Sequence, residues 1–342
     1  MKRRHLIAGL AGLGIGAANP VLAQPRPRSG EKPFRIYMAL FRGWEDCAQG
    51  FKDYFVNQGI PVELIVRDAG QDKSKLAGFV AEAKEMKVDL VFTWGTTVTQ
   101  EMLGPWDKPD PARHITDIPA VFAIVSQPVG AKVVPDLVSS RRNVTGTTYL
   151  VPLETQMALI QSYRPFSVLG MVYNPLEPAS RITIDELTAL GRQLDFRLEA
   201  VPVDVADGKP QPTSIPAKVA EVKAAGALFL YIPPDTFINV NRDVLTGAAL
   251  EAGLPSFAAA ENPVVNSKAM FGAVCRYYPV GQLTAYKAEQ ILVQKRAPAD
   301  IPIDAPKRMA IMINMPVVRA LGFYPPMNLL GLSEVIDPES RP

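Results

Sequence analysis

Short polar segments follow several apolar runs of this sequence, and their residue types suit them to holding a small ligand. Trp94, Gly95, Thr96 and Thr97 end one apolar run and precede a helical pattern. Glycine lets a ligand approach the backbone closely, and threonine hydroxyls together with the first amides of a helix can hold a carboxylate. The alternative is that the threonines only cap the helix. Comparable segments contain Ser126, Gln127 and Pro128; Thr148 and Tyr149; Tyr173 and Asn174; and Pro234 and Asp235.

Aromatic and charged side chains near other strand ends are further candidates for the same pocket. Arg42, Trp44 and Glu45 follow the first predicted strand. The Glu45 carboxylate could meet a ligand ammonium, or it could simply favour the start of a helix, where acidic groups are stabilised by the helix dipole. Tyr277 precedes a predicted helix and is either a pocket aromatic or part of the packing between two lobes. The remaining candidates are Glu261 and, as apolar walls beside Trp44, the aromatic residues Trp94 and Tyr149.

An enzyme would need a nucleophile and a base, and the sequence offers little for either role. His114 is the only histidine after residue 23, and its polar, proline-flanked surroundings are typical of a solvated loop. Glycine motifs of the nucleotide-binding types are absent. Cys47 and Cys275 could form a disulfide or could be two buried apolar side chains, and they make no metal-ligand cluster. We therefore predict no catalytic residue, no metal and no cofactor.

The elements that must position these candidates alternate between strand and helix. Apolar runs at 35–40, 62–66 and 89–94 are separated by helical patterns, and this βαβαβ order is typical of a parallel sheet covered by helices. A second series begins at 168–173. Other predicted elements are strands at 119–125, 143–149, 197–203, 227–232, 254–259 and 309–313, and helices at 46–58, 181–194, 215–225, 237–252 and 280–294.

The length of the chain exceeds what one hydrophobic core usually serves, which predicts two lobes. The fold class that we predict is α/β, with two doubly wound, Rossmann-like lobes joined by a hinge. Such sheets bind ligands at the carboxyl ends of their strands, so a shared cleft between the lobes is expected. The predicted boundaries are 34–148 plus 279–310 for lobe one and 149–278 plus 311–342 for lobe two.

The N-terminus has the pattern of a cleaved secretory signal. Basic residues precede an apolar stretch that is too short to span a membrane, and we place the cleavage after Ala23. Arg3 and Arg4 fit either a Sec or a twin-arginine signal. Without residues 1–23 the chain has 33 basic and 34 acidic side chains, which gives no general attraction to nucleic acid. We predict a monomeric periplasmic protein in which the proline-rich residues 24–33 are disordered.

Several segments resemble the ABC transporter substrate-binding family that is often linked to tryptophan and tyrosine uptake. The matching segments, in order, are Gly95–Thr99, Val125–Gly130, Asn143–Gly146, Tyr173–Pro175, Pro233–Asp235, Ala299–Pro302, Ile313–Asn314 and Ala320–Gly322. Gln127 stands where that family usually has an acid, and Phe257–Glu261 also departs from the usual pattern.

The resemblance implies a type I periplasmic-binding fold with three crossovers between lobes. It also implies hinge closure around one small, amino-acid-like molecule, aromatic or apolar, and delivery to an ABC permease in the inner membrane. Two other interpretations remain open from the residues alone. One is a ligand-sensing module that serves a signalling receptor, and the other is an exported hydrolase that uses His114.

Overall fold

A computed structural model describes residues 32–337, and the predicted signal and most of the predicted lead-in lie outside these residues. The first of its two main sheets has five parallel strands in the order β2-β1-β3-β4-β5. Its strands are β1 (Phe34–Leu40), β2 (Val62–Asp68), β3 (Leu90–Trp94), β4 (Ala120–Ala123) and β5 (Val144–Gly146).

The second main sheet has seven strands in the order β14-β13-β12-β11-β10-β6-β7, and β12 and β13 are its antiparallel pair. A separate two-stranded hairpin lies between β7 and β10 in the chain. The bounds in this half are β6 (Val168–Tyr173), β7 (Arg197–Pro202), the hairpin strands β8 (Val205–Ala206) and β9 (Lys209–Pro210), β10 (Phe229–Ile232), β11 (Ser256–Ala258), β12 (Phe271–Val274), β13 (Ala310–Asn314) and β14 (Ser333–Ile336).

Helices cover both main sheets, and each sheet has its own buried apolar clusters. We call each sheet with its helices a unit. Helices α1, α2, α3 and α10 bury residues in the first unit, and the others belong to the second. Their bounds are α1 (Asp46–Gln58), α2 (Leu76–Met86), α3 (Gly95–Leu103), α4 (Leu153–Tyr163), α5 (Pro178–Leu194), α6 (Ile215–Ala224), α7 (Thr236–Val240), α8 (Arg242–Glu251), α9 (Glu261–Val265), α10 (Tyr277–Leu292), α11 (Met315–Leu321) and α12 (Met327–Leu330).

The chain passes between the units at three places. It leaves the first unit after Gly146 and returns between β12 and α10. It leaves again between Asp304, whose backbone bridges to Thr147 beside β5, and β13. The helix α10 is therefore separated in sequence from the unit on which it packs.

Two glycines allow α10 to lie directly against α1. A Cβ at Gly50 would clash with the Tyr278 carbonyl, and a Cβ at Gly281 would clash with the Cys47 carbonyl. The Tyr278 hydroxyl also donates to Asp53 Oδ2 of α1 at 3.0 Å. This close contact fixes the first turn of α10, which carries Tyr277.

Several predicted boundaries are wrong. The helix predicted at 280–294 begins three residues earlier, so Tyr277 lies inside it and does not precede it. The helix predicted at 237–252 is divided at Asn241, and the strand predicted at 143–149 is only the three residues of β5. Strand β12, a four-residue apolar run that contains Gly272, was not predicted from the sequence. Cys47 and Cys275 are buried free thiols.

Candidate ligand-binding cleft

A small cavity lies where the carboxyl ends of strands from both sheets face each other. It follows β1, β3 and β4 in the first unit and β6, β10 and β11 in the second, as expected for doubly wound sheets. Its volume is about 20 Å³, which is room for about one water molecule. The cavity is lined by Arg42, Trp94, Gly95, Thr96, Ile124, Ser126, Tyr149, Glu177, Pro234, Asp235, Thr236, Asn239, Ala260 and Tyr277.

The first unit contributes hydrogen-bond donors at the start of α3. Gly95 has φ of +82°, a conformation that glycine adopts without strain, and it opens the helix directly after β3. Thr96 lies in the first turn and faces the cavity, so it is not the N-cap, which is Trp94. The first amides of α3 and the Thr96 hydroxyl are thus available for an anionic group.

Two further donors in the first unit are buried without a hydrogen-bond partner among the described residues. These are the indole Nε1 of Trp94 and the hydroxyl of Ser126. Ile124, two residues before Ser126, has φ of +56°, a strained conformation for a β-branched side chain. Such strain is found mainly at binding and active sites. Buried donors left without a protein partner are groups that a ligand can satisfy.

Arg42 spans the cavity and touches both units. Its guanidinium lies 4.5 Å from the centre of the Trp94 ring, and its Nε donates to Glu45 Oε1 at 2.9 Å. With the Asn239 amide oriented to match its neighbours, the amide oxygen of that second-unit residue accepts from Nη1 and Nη2 of Arg42 at 3.1 and 2.9 Å. The guanidinium is therefore held by a carboxylate, an aromatic face and an amide at once.

The second unit contributes two buried carboxyl groups, Glu177 and Asp235. Asp235 caps α7 by accepting from the Ile238 amide at 2.9 Å, and it also accepts from the Asn174 amide at 2.8 Å and the Ser180 hydroxyl at 2.6 Å. Burial raises the pKa of Asp235 above its ordinary value. Asp235 is thus largely a structural carboxyl with its oxygens already engaged.

Glu177 has longer hydrogen-bond contacts than Asp235, and its pKa is strongly raised. Burial, and then the nearby charge of Asp235, raise the pKa of Glu177 to about 8, although Arg42 opposes the shift. The Thr236 hydroxyl lies 3.5 Å from Glu177 Oε1, and the Thr97 hydroxyl also interacts with this carboxyl. A buried carboxyl with a raised pKa is a suitable partner for a ligand ammonium, whose charge would favour its ionised form.

Aromatic rings form one wall of the cavity. Tyr149 and Tyr277 meet edge to face with ring centres 5.6 Å apart. Burial raises the pKa of Tyr277 to about 12, against the effect of Arg42, so its hydroxyl is neutral at physiological pH. Together with Trp94, these rings give the cavity an apolar side that can contact an aromatic or aliphatic group.

Half of the predicted site residues line this cavity: Arg42, Trp94, Gly95, Thr96, Ser126, Tyr149, Pro234, Asp235 and Tyr277. Others support the lining residues. Glu45 holds Arg42, Thr97 contacts Glu177, Thr148 donates from its hydroxyl to the Ser126 carbonyl, and Glu261 accepts from the Tyr277 amide at 2.9 Å. The Asn174 amide is bound to Asp235, and Tyr173 ends β6.

Three predicted residues lie away from the cavity. The Trp44 side chain is 44% exposed and its Nε1 donates to Gln49, so it does not form a cavity wall. Gln127 and Pro128 line a neighbouring crevice. The reading of the sequence also missed Glu177, although an acidic residue just before Pro178, at a helix start, was a signal that could have identified it.

His114 lies outside the cavity lining. Its Nδ1 accepts from the Asp110 amide at 2.9 Å, and its ring packs against Gly104. Burial lowers the pKa of His114 below its ordinary value. Within the described residues, no group of three or more His, Cys, Asp or Glu side chains could hold a metal ion. Between residues 32 and 337, no helix is both long and apolar enough to cross a membrane.

Comparisons with known proteins agree with this architecture. A tyrosine-binding protein of Clostridioides difficile is 24% identical over 275 residues, which cover 80% of this chain and 73% of that protein. The solved structure of a Streptococcus pneumoniae ABC domain in complex with L-Trp has a TM-score of 0.74 and 22% identity, over 88% of this chain and all of the other. The ligand-free, open structure of a Clostridium difficile substrate-binding protein with adhesive properties has a TM-score of 0.66 and 21% identity, over 89% and 99% of the two chains.

These structural neighbours have the type I periplasmic-binding fold, which confirms the predicted fold class. The sequence pattern of one family, described as ABC transporter substrate binding protein, matches residues 41–334 and thus nearly all of the described chain. The chain belongs to the ABC transporter substrate-binding protein family.

Proposed function

We propose that this protein is the solute-binding component of an ABC importer and that it binds one α-amino acid, with an aromatic or apolar side chain, between its two units. One observation carries the proposal. Two buried donors of the first unit, Trp94 Nε1 and Ser126 Oγ, have no partner within residues 32–337, and they line the same cavity as the buried Glu177 carboxyl of the second unit. A zwitterion with a carboxylate at one end and an ammonium at the other complements this pair of surfaces.

The orientation of the ligand follows from the charges. The α-carboxylate lies against Ser126, Thr96 and the first amides of α3, which all donate hydrogen bonds. The ammonium lies against Glu177. The side chain of the amino acid then contacts the rings of Trp94, Tyr149 and Tyr277, and relatives that bind tyrosine or L-Trp support an aromatic side chain.

Binding requires the two units to move apart. The cavity of about 20 Å³ holds little more than a water molecule, whereas an amino acid is several times larger. We identify the units with the two predicted lobes, and we propose that the three connecting segments are the hinge. A ligand that contacts both units favours the closed state by its greater affinity for that state. The closed form is the one that docks on the permease.

The cellular context belongs to the same proposal. The N-terminal pattern of a secretory signal supports a periplasmic location, reached by the Sec or the twin-arginine route. The partner is an ABC permease of the inner membrane, as is general for this family. The proposed state is a monomer. The protein binds no nucleic acid in this proposal, since its mature charge is nearly balanced. It binds its ligand without chemical change and is not an enzyme.

Isothermal titration calorimetry with a panel of amino acids tests the proposal. The preferred ligand is then compared with its N-acetyl derivative, which lacks the ammonium, and with its amide, which lacks the carboxylate. Glu177→Gln should weaken the parent ligand about 10- to 100-fold and leave the affinity of the N-acetyl derivative unchanged, because a charged hydrogen bond contributes ~1.5–3 kcal/mol.

Replacement of Thr96 and Ser126 by alanine should weaken binding of the parent ligand and leave the affinity of the amide derivative, which lacks the carboxylate, unchanged. Ser162→Ala, at an exposed position of α4, is the matched control and should bind as the wild type does. The proposal is wrong if no amino acid binds. It is also wrong if Glu177→Gln weakens the N-acetyl derivative as much as the parent ligand, or if the alanine replacements weaken the amide as much as the parent ligand.

A further inference from the structure

A second crevice adjoins the cavity at the segment that connects β5 to α4. Tyr149 lines the cavity, whereas its neighbours Thr148 and Leu150 line the crevice, so this segment separates the two spaces. Ser126 lines both. The crevice has a volume of about 260 Å³, much larger than the cavity in the same structure, and its walls come from both units.

The walls of the crevice are mainly aliphatic. Val129 and Leu137 of the first unit are 43% and 42% exposed, and Leu150 and Leu153 face them from the connection and from α4. Aliphatic side chains that remain in contact with water inside a concave space gain free energy when an apolar group covers them. The crevice is thus suited to a hydrocarbon chain.

The mouth of the crevice is acidic. Glu186 of α5 is the only charged side chain among the described residues that line it. Its carboxylate accepts from the Gln127 side chain, while burial and the charges of Glu154 and Asp185 raise its pKa. One carboxyl group, that of Glu186, therefore lies at the apolar space with negative charge nearby, and a cation would favour its ionised form.

Two buried polar atoms at this crevice have no partner among the described residues. They are Oε1 of Gln127 and the hydroxyl of Ser126, a residue that is only 6% exposed and that also lines the cleft cavity. Because the Ser126 hydroxyl is the proposed donor to the cleft ligand, only the Gln127 oxygen is assigned to the crevice. The Gln127 oxygen accepts hydrogen bonds, and the Ser126 hydroxyl can donate or accept them. A guest that carries N–H donors would satisfy the Gln127 oxygen next to the Glu186 carboxylate. Buried polar atoms without partners are uncommon in native proteins and point to a missing ligand group.

We propose that this crevice is a second ligand site, distinct from the cleft cavity, and that it binds an aliphatic primary ammonium ion. The hydrocarbon chain lies among Val129, Leu137, Leu150 and Leu153, and the ammonium lies at the mouth between Glu186 and the Gln127 oxygen. The acidic mouth disfavours carboxylates and other anions. The arrangement resembles the way in which a lysine side chain covers apolar surface with its stem and keeps its charge in water.

Calorimetry on the whole protein with n-hexylammonium chloride tests this proposal, with hexan-1-ol and sodium hexanoate as controls of equal chain length. We expect one ammonium to bind per chain at millimolar concentration, with hexanol at least tenfold weaker and hexanoate not bound. Glu186→Gln keeps the size of the side chain and should weaken hexylammonium at least tenfold. Val129→Trp should fill the crevice and abolish binding, and its thermal midpoint reports whether it folds.

The cleft itself supplies the decisive control, because Glu177 could also attract an ammonium. Glu177→Gln should leave the affinity for hexylammonium unchanged. If hexylammonium fails to bind, or if Glu177→Gln abolishes binding while Glu186→Gln does not, the crevice is not an ammonium site. Either result would leave the proposal for the cleft to be judged separately by its own amino-acid titrations.

Discussion

The raised pKa of Glu177 makes a quantitative prediction about stability and pH. In the unfolded chain this carboxyl has its ordinary pKa near 4.5, whereas in the folded protein burial and Asp235 raise the pKa to about 8. The folded state therefore holds a proton that the unfolded state has lost whenever the pH lies between these values. Within that window the free energy of unfolding falls by ~1.4 kcal/mol for each pH unit, or ~5 kcal/mol in total.

Glu177→Gln removes the titration and keeps the shape of the side chain. At pH 5 we expect the variant and the wild type to have similar thermal midpoints, because the glutamate is protonated in the folded protein. At pH 8.5 the variant should be more stable by up to ~5 kcal/mol, which corresponds to a midpoint higher by roughly 10 °C for a chain of this size. Differential scanning calorimetry at half-unit steps of pH measures the difference between the two curves.

The matched control is Glu251→Gln, an exposed carboxyl in the last turn of α8. It measures the effect of removing one exposed carboxyl, with which the effect of Glu177→Gln is compared at each pH. Parallel curves for the wild type and Glu177→Gln would refute the reasoning, because they would mean that Glu177 ionises in the folded protein as readily as in the unfolded chain. A difference that grew toward low pH would contradict even the sign of the effect.

Three further predictions concern the cleft and its supports. Between pH 6 and 7, binding of the amino acid should release close to one proton from Glu177, which appears as a binding enthalpy that depends on the ionisation enthalpy of the buffer. The affinity of the protein for the amino acid should fall about tenfold for each pH unit below 8. Arg42→Ala removes the link to Asn239, so small-angle scattering of the ligand-free protein should show a larger radius of gyration, which Arg42→Lys only partly restores. Gly281→Ala should lower the free energy of unfolding by ~1–3 kcal/mol, because its methyl group meets the Cys47 carbonyl, whereas Gly78→Ala, in open space on α2, should not.

The fold could be predicted from the sequence because its signals are local. Apolar runs such as 35–40 and 89–94 match β1 and β3, and the helical pattern at 46–58 matches α1. Boundaries failed where tertiary contacts decide them. The first turn of α10 contains two tyrosines and a proline and has no helical pattern of its own. It is stabilised because Glu261 accepts from the Tyr277 amide and because the turn packs closely against α1.

The site could be predicted only in part, because a cleft is assembled from side chains far apart in sequence. The position of Gly95 and Thr96 at the candidate cavity could be predicted, since a strand followed by glycine and threonine indicates a helix start at the carboxyl end of a strand. Trp44 was placed in the pocket because of its residue type, yet its indole turns to Gln49 at the surface. The direction of a side chain after a strand depends on the turn that follows, and periodicity does not determine that turn.

Under the proposed function, the charges around the cleft explain how one site can exclude a ligand with a single charge and admit a zwitterion. Without a guest, Arg42 is balanced by Glu45, and Glu177 is largely protonated at neutral pH. A ligand with only a positive charge would have to displace that proton. A ligand with only a negative charge would have to bind its hydrogen-bond donors close to two buried carboxyl groups. A zwitterion meets both conditions at once, because its ammonium ionises Glu177 while its carboxylate satisfies the Ser126 and Thr96 donors on the other unit. In the proposed mechanism, each half of the ligand makes the other half less costly to bury, and this coupling would favour closure only around a molecule that carries both charges.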